Sequence, residues 1–464
     1  MKKLLACIMA LLLLLPAGCG RKAPGETASS EPAPSFPPLP ADMTIEDMAV
    51  SLVSDMAAGE FDKVFSIYPY TAEMKKVITG GESVKEQIWD PLVRTHGKFS
   101  EITGTSESQY QDYDIISVKT SFEKGKLYIN VVFDKENRIA GINFAPDPEN
   151  ATSDAPPEGI TETELTFGKS GWELTGTLTL PAGKGPFPAV ILVHGSGPND
   201  RDETVGPNKP FRDIAMGLAQ KGIATFRYDK RTLAHQKEFA SLTDYTVYDE
   251  TIEDAVLAYE LLRDDESIDP GRIYILGHSL GGMLIPRIAK LTADAAGYII
   301  MSAPVTPLED LMVKQLEYLN ELDGTVSDIE RRTLRSYETM RDNVKALTDD
   351  SDTPSEQLFG IPASYWLDLK DYRPEQEAKS IHKPVLILQG ERDYQVTMDE
   401  FRTWKDALSE NDNVTFKSYD GLNHLMIYGT GKPGPQEYNS PGKVDERVIE
   451  DMASWVLESS ELKD

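Results

Sequence analysis

Cysteine is almost missing from this chain: Cys7 and Cys19 are the only two in 464 residues. Cys7 lies inside an N-terminal stretch expected to be removed, so the mature chain would keep Cys19 alone, which excludes a disulfide, a thiolate metal site and a cysteine nucleophile. Histidine is scarce too, with six residues, and no H-E-x-x-H, paired-cysteine, P-loop or calcium-loop pattern occurs. No metal or other cofactor is therefore implied. Basic residues are outnumbered, 47 against 76 acidic ones, for a net charge of -29. That balance disfavours nucleic acid as a partner and argues against electrostatic docking on anionic lipid. Long apolar runs are lacking as well: the best, Leu4 to Leu15, is too short to span a bilayer comfortably.

What the N-terminus does carry is a basic head, Lys2-Lys3, followed by that short apolar core, the pattern of a secretory signal. It ends in Leu15-Pro16-Ala17-Gly18-Cys19, and small residues directly before a cysteine resemble the processing site of bacterial lipoproteins, with Cys19 as the lipidated first residue. Pro16 departs from the usual Leu at the third position before the cysteine. The alternative is an ordinary cleaved signal that leaves a free thiol. The reading divides the chain into a signal peptide over 1–18, a Pro/Ser-rich tether over 19–43, a small α+β domain over 44–145, a linker over 146–160 and a large domain over 161–464. In the small domain Ile45, Met48, Ala49, Leu52, Val53 and Met56 recur at helical spacing behind Thr44 as N-cap. Ser83 and Glu86 repeat the cap signature before a second helix, and strands are expected over 115–122, 126–133 and 138–144. Nothing in this domain clusters as a catalytic site would, so a binding or spacer role is expected.

The large domain is where chemistry-bearing residues gather. Gly277-His278-Ser279-Leu280-Gly281 follows the apolar run Arg272 to Leu276 and precedes a helix-like segment. A strand that turns abruptly into a helix strains its central residue, and flanking glycines make room for the turn. Ser279 is the expected nucleophile, and the Leu280 amide sits where a helix N-terminus faces developing negative charge. A hydroxyl needs a base, and a base needs an orienting carboxylate. The strand Pro384 to Leu388 runs into Gln389-Gly390-Glu391-Arg392-Asp393, and Val414 to Tyr419 runs into Asp420-Gly421-Leu422-Asn423-His424. His424 is the expected base. Asp393 is the preferred acid, with Glu391 as its competitor on the same turn. The strand Ala189 to Val193 ends in His194-Gly195-Ser196-Gly197, which nominates the Ser196 amide as a second oxyanion donor. Neither glycine-rich run survives as a dinucleotide fingerprint: Asp200 stands where the third glycine belongs after Gly195 and Gly197, and Pro433 and Pro435 forbid a helix around Gly429 to Gly434.

Several of these segments together resemble one family. HGSGPNDRD from His194, the run Phe226 to Arg231, GHSLGG from Gly277, and the GERD and NHL segments are similar to bacterial α/β-hydrolases of the serine aminopeptidase-like and esterase group, over about residues 160 to 460. The resemblance implies an α/β fold: a mostly parallel sheet flanked by helices, with a helical cap inserted at about 305–380, preceded by the small α+β domain. That first domain is similar to an uncharacterised cystatin-like or nuclear-transport-factor-like module of bacterial lipoproteins. Thr232 stands where the family often has Gly, which affects the path of one loop. The implied activity is that of a serine hydrolase, most simply a carboxylesterase on small or medium acyl esters. An aminopeptidase or amidase with the same triad, and a surface binding protein with a vestigial hydrolase domain, are the alternatives. The implied partners are a small-molecule ester or peptide substrate, a membrane through a lipid anchor only, and a cell-wall or protein partner for the first domain if it binds. The implied location is the outer face of a bacterial cell membrane. Two further expectations concern side chains: Asp200 to Asp202 and Arg227 to Arg231 form an ion-pair network or merely two solvated loops, and Tyr365-Trp366 pack in the cap core or line an acyl pocket.

Overall fold

In the smaller of two compact units, divided along the chain between residues 155 and 156, the Ile45–Ala57 helix begins where the cap signature placed it. Thr44 accepts the Asp47 amide at 3.0 Å, and the stripe Met48, Ala49, Leu52, Val53 and Met56 is buried. The computed structural model describes residue 40 and residues 43–146 and 156–461, apart from 73, 79, 91, 94–96, 111, 112, 124, 323, 325 and 327. The expected signal peptide, Cys19 and most of both linkers lie outside the described residues, as do the Ser83 and Glu86 side chains. Four antiparallel strands follow in chain order: β1 (Phe99–Tyr110), β2 (Tyr113–Phe122), β3 (Gly125–Phe133) and β4 (Ile139–Pro146). Ile116, Val118 and Phe122 on β2 and Leu127, Ile129, Val131 and Phe133 on β3 alternate into the core against the helix. Strand β1 is an addition to the three expected ones. It is a sheet edge with two register shifts, and none of its described side chains is buried, so it carries no apolar alternation to read. The second helix also differs: Gly81–Val84 passes directly into a π-helical turn, Lys85–Trp89.

The larger unit is built on an eight-stranded sheet of β5 (Thr161–Phe167), β6 (Leu174–Leu180), β7 (Phe187–Val193), β8 (Ala224–Tyr228), β9 (Ile268–His278), β10 (Gly297–Met301), β11 (Val385–Gly390) and β12 (Val414–Tyr419). Its spatial order is β12-β11-β10-β9-β7-β8-β6-β5. Strands β12 through β8 are parallel, and β6 and β5 close one edge antiparallel. Parallel strands covered on both faces are apolar along their covered length, and β7, β10 and the Ile273–Leu276 part of β9 are. On β9, Ile273 and Ile275 face one helical layer while Tyr274 and Leu276 face the other, so a single strand feeds two cores.

Chain order reverses between β7 and β9: β8 pairs outward from β7 on one side, and β10 outward from β9 on the other. Such a switch point opens a crevice at the carboxyl ends of its strands. Val193 pairs with Gly277, and Met301 with both His278 and Leu388, so the loops that leave these strands emerge along one edge. The cap expectation is met by the helices Leu308–Asn320, Asp328–Lys345 and Ala363–Leu369 between β10 and β11. Tyr365 and Trp366 are 4% and 2% exposed and serve as core, the first of the two duties weighed for them.

Candidate active site

Ser279 occupies the turn between β9 and the Leu280–Leu291 helix with φ 52° and ψ -117°, a conformation side chains rarely adopt. Its amide donates to the Met301 carbonyl at 3.0 Å, which ties the turn to the neighbouring strand. The two glycines are required by contact rather than by convention. A Cβ on Gly281 would stand 2.5 Å from the Val193 carbonyl oxygen, and one on Gly277 would collide with the Gly281 carbonyl. Half-buried Ser279 is reachable from solvent, whereas Leu280 is buried. Leu280 is the first residue of its helix, so its amide has no carbonyl one turn back to donate to.

Asp393 and His424 come together from the ends of β11 and β12. His424 Nδ1 lies 2.6 Å from Asp393 Oδ2, with the two residues 1% and 4% exposed. The carboxylate is fixed in turn: its Oδ1 accepts the Gln395 and Val396 amides at 2.8 and 2.9 Å, and Gln389 Nε2 approaches Oδ2 at 3.3 Å. A carboxylate locked by two amides cannot rotate away from the imidazole it accepts from, so Nδ1 is held as the protonated nitrogen. Gly390 lets the two loops touch, since a Cβ there would sit 2.6 Å from the Leu422 and Asn423 carbonyl oxygens. Glu391, the competing acid, is exposed and accepts a hydrogen bond from Ser418 at 2.9 Å instead.

The loop after β7 brings Ser196 beside this turn, because a Cβ added to Gly195 would lie 3.0 Å from Ser279 Cβ. Its carbonyls are drawn to one side. Asn199 Nδ2 donates to those of Gly195, Ser196 and Gly197, and the buried Lys230 ammonium donates to Gly195 O at 2.8 Å. Lys230 is balanced by Glu250 at 2.6 Å, and Tyr365 of the cap donates to the other oxygen of Glu250 at 2.8 Å. The charged loops therefore form the network rather than two solvated surfaces. Arg227, 2% exposed, bridges Asp202 at 2.8 Å and Glu162 at 2.7 Å; Arg201 pairs with Asp229, and Arg231 with Glu253 and Asp254. Removing one member of so buried a set leaves unpaired charge, at a cost of about 3–5 kcal/mol. Thr232 adds a hydrogen bond to the Gly197 carbonyl at 3.2 Å, a use for the side chain where the family often has none.

Sequence reasoning missed Glu203. It is 2% exposed, its Oε1 accepts the Gly195 amide at 2.7 Å, and its Oε2 lies 2.8 Å from His278 Nδ1. His278 Nε2 continues to the backbone carbonyl of His424 at 3.0 Å. Nothing in a charged loop segment marks one acid as buried, so no pattern could have singled Glu203 out. His194 is the opposite case: Nε2 donates to the Asp200 carbonyl, and burial, aided by Lys230 and opposed by Glu203, pushes it down to about 4. Among the described residues no group of His, Cys, Asp and Glu side chains is arranged to hold a metal ion, and no helix is long and apolar enough to cross a membrane.

The family model described as "Serine aminopeptidase, S33" matches residues 186–430, which contain every residue named in this site except Glu162. A second model, a protein of unknown function (DUF3887), matches residues 49–142. Esterase EstD of Thermotoga maritima is 41% identical over 373 residues, spanning 80% of this chain and 86% of its own. Among solved structures, Est1E from Butyrivibrio proteoclasticus aligns at 18% identity and TM-score 0.41 over 64% of this chain and 99% of its own. An esterase of Pyrococcus furiosus aligns at 15% identity and TM-score 0.41 over 64% and 91%.

Proposed function

Because the chain belongs to the serine aminopeptidase S33 family of α/β-hydrolases, matched over residues 186–430, we propose that it is a carboxylesterase acting on small or medium acyl esters. The observation that carries the site assignment is the 2.6 Å hydrogen bond between His424 Nδ1 and the locked Asp393 carboxylate, with the His424 ring centroid 4.7 Å from that of His278, the residue before the strained Ser279 turn. Asp393 keeps the Nδ1 proton in place, so His424 Nε2 is the free basic nitrogen. Ser279 Oγ attacks the ester carbonyl and its proton passes to Nε2. The Ser196 and Leu280 amides stabilise the oxyanion, and the alkoxide leaves with the proton that His424 returns. Water then attacks the acyl-enzyme by the same route. Ester over amide is favoured by Esterase EstD, the relative at 41% identity, whereas the family description favours the peptidase reading. Parallel turnover of aryl esters and aminoacyl anilides separates the two. Ser279→Ala should lower ester turnover by about three orders of magnitude or more with an unchanged melting profile; turnover near that of the parent would end the assignment.

The location is part of the same reading. A signal through Gly18, lipidation of Cys19 and a flexible tether would hold the enzyme at the outer face of a bacterial membrane, with the first domain a cystatin-like spacer or binder for cell wall or protein. Support comes from the sequence alone: a basic head, a short apolar core and small residues before Cys19. Cys19→Ser should move the protein from the membrane to the soluble fraction without changing specific activity. Retention on the membrane would rule the anchor out.

A further inference from the structure

We propose that Glu203 and His278 form a buried carboxylate–imidazolium pair that positions both halves of the site at once, the carboxylate holding the Gly195 amide and the imidazolium holding the backbone carbonyl of His424. The proposal rests on the triad reading above for its catalytic consequence, but the charge state stands on geometry. A backbone carbonyl can only accept, so His278 Nε2, 3.0 Å from the His424 oxygen, carries a hydrogen. Nδ1 faces Glu203 Oε2 at 2.8 Å, and the other oxygen of that carboxylate already accepts the Gly195 amide at 2.7 Å. With an acceptor at each ring nitrogen, the form that satisfies both is the doubly protonated one.

The surroundings fit a charged pair. Burial alone would drive His278 toward its neutral form, but Glu203, the His424 carbonyl and Asp393 outweigh it and hold the imidazole above its ordinary value. Burial likewise opposes the Glu203 charge, and His278, His194 and the Gly195 amide hold that carboxyl below its ordinary range. The groups facing the pair come from each packed element: His194 and Gly195 after β7, Asp393 after β11, His424 after β12 with its ring centroid 4.7 Å from that of His278, and Phe211 at 6.4 Å. Glu203 also keeps its backbone at φ 52°, a conformation side chains rarely adopt and one that the surrounding contacts must hold.

The pair spans what catalysis needs kept in register. One end fixes the loop that offers the Ser196 amide, and the other fixes the main chain that carries the base. Reacting groups misplaced by about 1 Å lose on the order of a hundredfold in rate. Both residues, each 2% exposed, are positioning residues that act through the Gly195 amide and the His424 carbonyl.

Two measurements test this. In the 15N spectrum of histidine-labelled wild-type protein at pH 8, one of the six imidazoles should have both nitrogens protonated, although a histidine of ordinary pKa, about 6.5, is almost wholly neutral there. Six neutral imidazoles would overturn the proposal. Glu203→Gln keeps the hydrogen bonds within reach, with its amide oxygen accepting from Gly195 and its nitrogen donating to a neutral His278, and it deletes only the charge pair. It should lower kcat about tenfold while KM stays within about twofold. It should also erase the alkaline fall in kcat that follows deprotonation of His278 in the parent, and Glu203→Asp should recover part of the rate. Wild-type kcat and pH profile in Glu203→Gln would sink the idea; were that variant unfolded, the spectrum decides alone. Failure of the triad reading looks different: Ser279→Ala would stay active while the doubly protonated imidazole remained.

Discussion

His194 shows how one side chain can set the acid limit of this fold. It is 1% exposed, its Nε2 donates to the Asp200 carbonyl, and its ring packs 5.1 Å from Phe211 and 5.2 Å from Tyr228, so Nδ1 has no room for a charge. Its value of about 4 in the folded chain compares with about 6.5 for an unfolded histidine. Between those two pH values the unfolded state binds the extra proton, so stability falls as pH drops through the window and is unaffected above it. The full effect is on the order of 3 kcal/mol. Glu203, held below its ordinary range, adds stability that is lost only as pH falls further, beneath most of this window. Urea titrations at a series of pH values should give a slope in that window that shrinks by close to one proton in His194→Gln, whose amide can still reach the Asp200 carbonyl. Identical slopes in the two proteins would refute the burial argument.

At the scale of elements, the legible parts of the sequence were those in which one force dominates a short stretch. The runs before Ser196, Ser279 and Asp393 are apolar because parallel strands are covered on both faces, and each appears as a strand: β7, β9 and β11. The Ile45–Ala57 helix announced itself by period and cap together. The turn with a steric demand was legible too, since Gly277 and Gly281 stand where no Cβ fits. Illegible features depend on partners distant in sequence. Strand β1 is an edge, held by the ladder to β2, with Phe99 and Ile102 packed partly against the core. The supports of the donor loop arrive from three directions: Glu203 from eight residues on, Lys230 from the end of β8, and Glu250 with the cap residue Tyr365 behind it. Before folding, each is one acid, base or tyrosine among many. The resulting chain of hydrogen bonds runs from the cap through Glu250, Lys230 and Gly195 to Glu203, His278 and the His424 carbonyl. A site assembled from strand ends could be placed by local pattern, while the groups that hold it in register could not.

At the scale of the molecule, the residues proposed for the reaction and the first domain fall in different compact units. The smaller unit has its own core, Leu52, Val53 and Met56 against Ile116, Val118, Ile129 and Phe133, and the larger unit has a core on each face of its sheet. Every residue assigned to the reaction or to its support, from Glu162 to His424, lies beyond residue 156. A unit that buries its own apolar surface has the driving force to fold alone. A chain beginning at Pro156 should therefore fold cooperatively and hydrolyse a soluble aryl ester with kcat/KM within about threefold of the full protein, a difference under about 1 kcal/mol in transition-state stabilisation. Comparing the two forms on the same ester, with circular dichroism to establish folding, checks this directly. A folded but inactive fragment would mean that the first domain completes the site, and its role would then be catalytic support rather than spacing or binding. Equal activity would place the function of residues 44–145 in where the enzyme sits or what it meets, since the chemistry would need nothing from them.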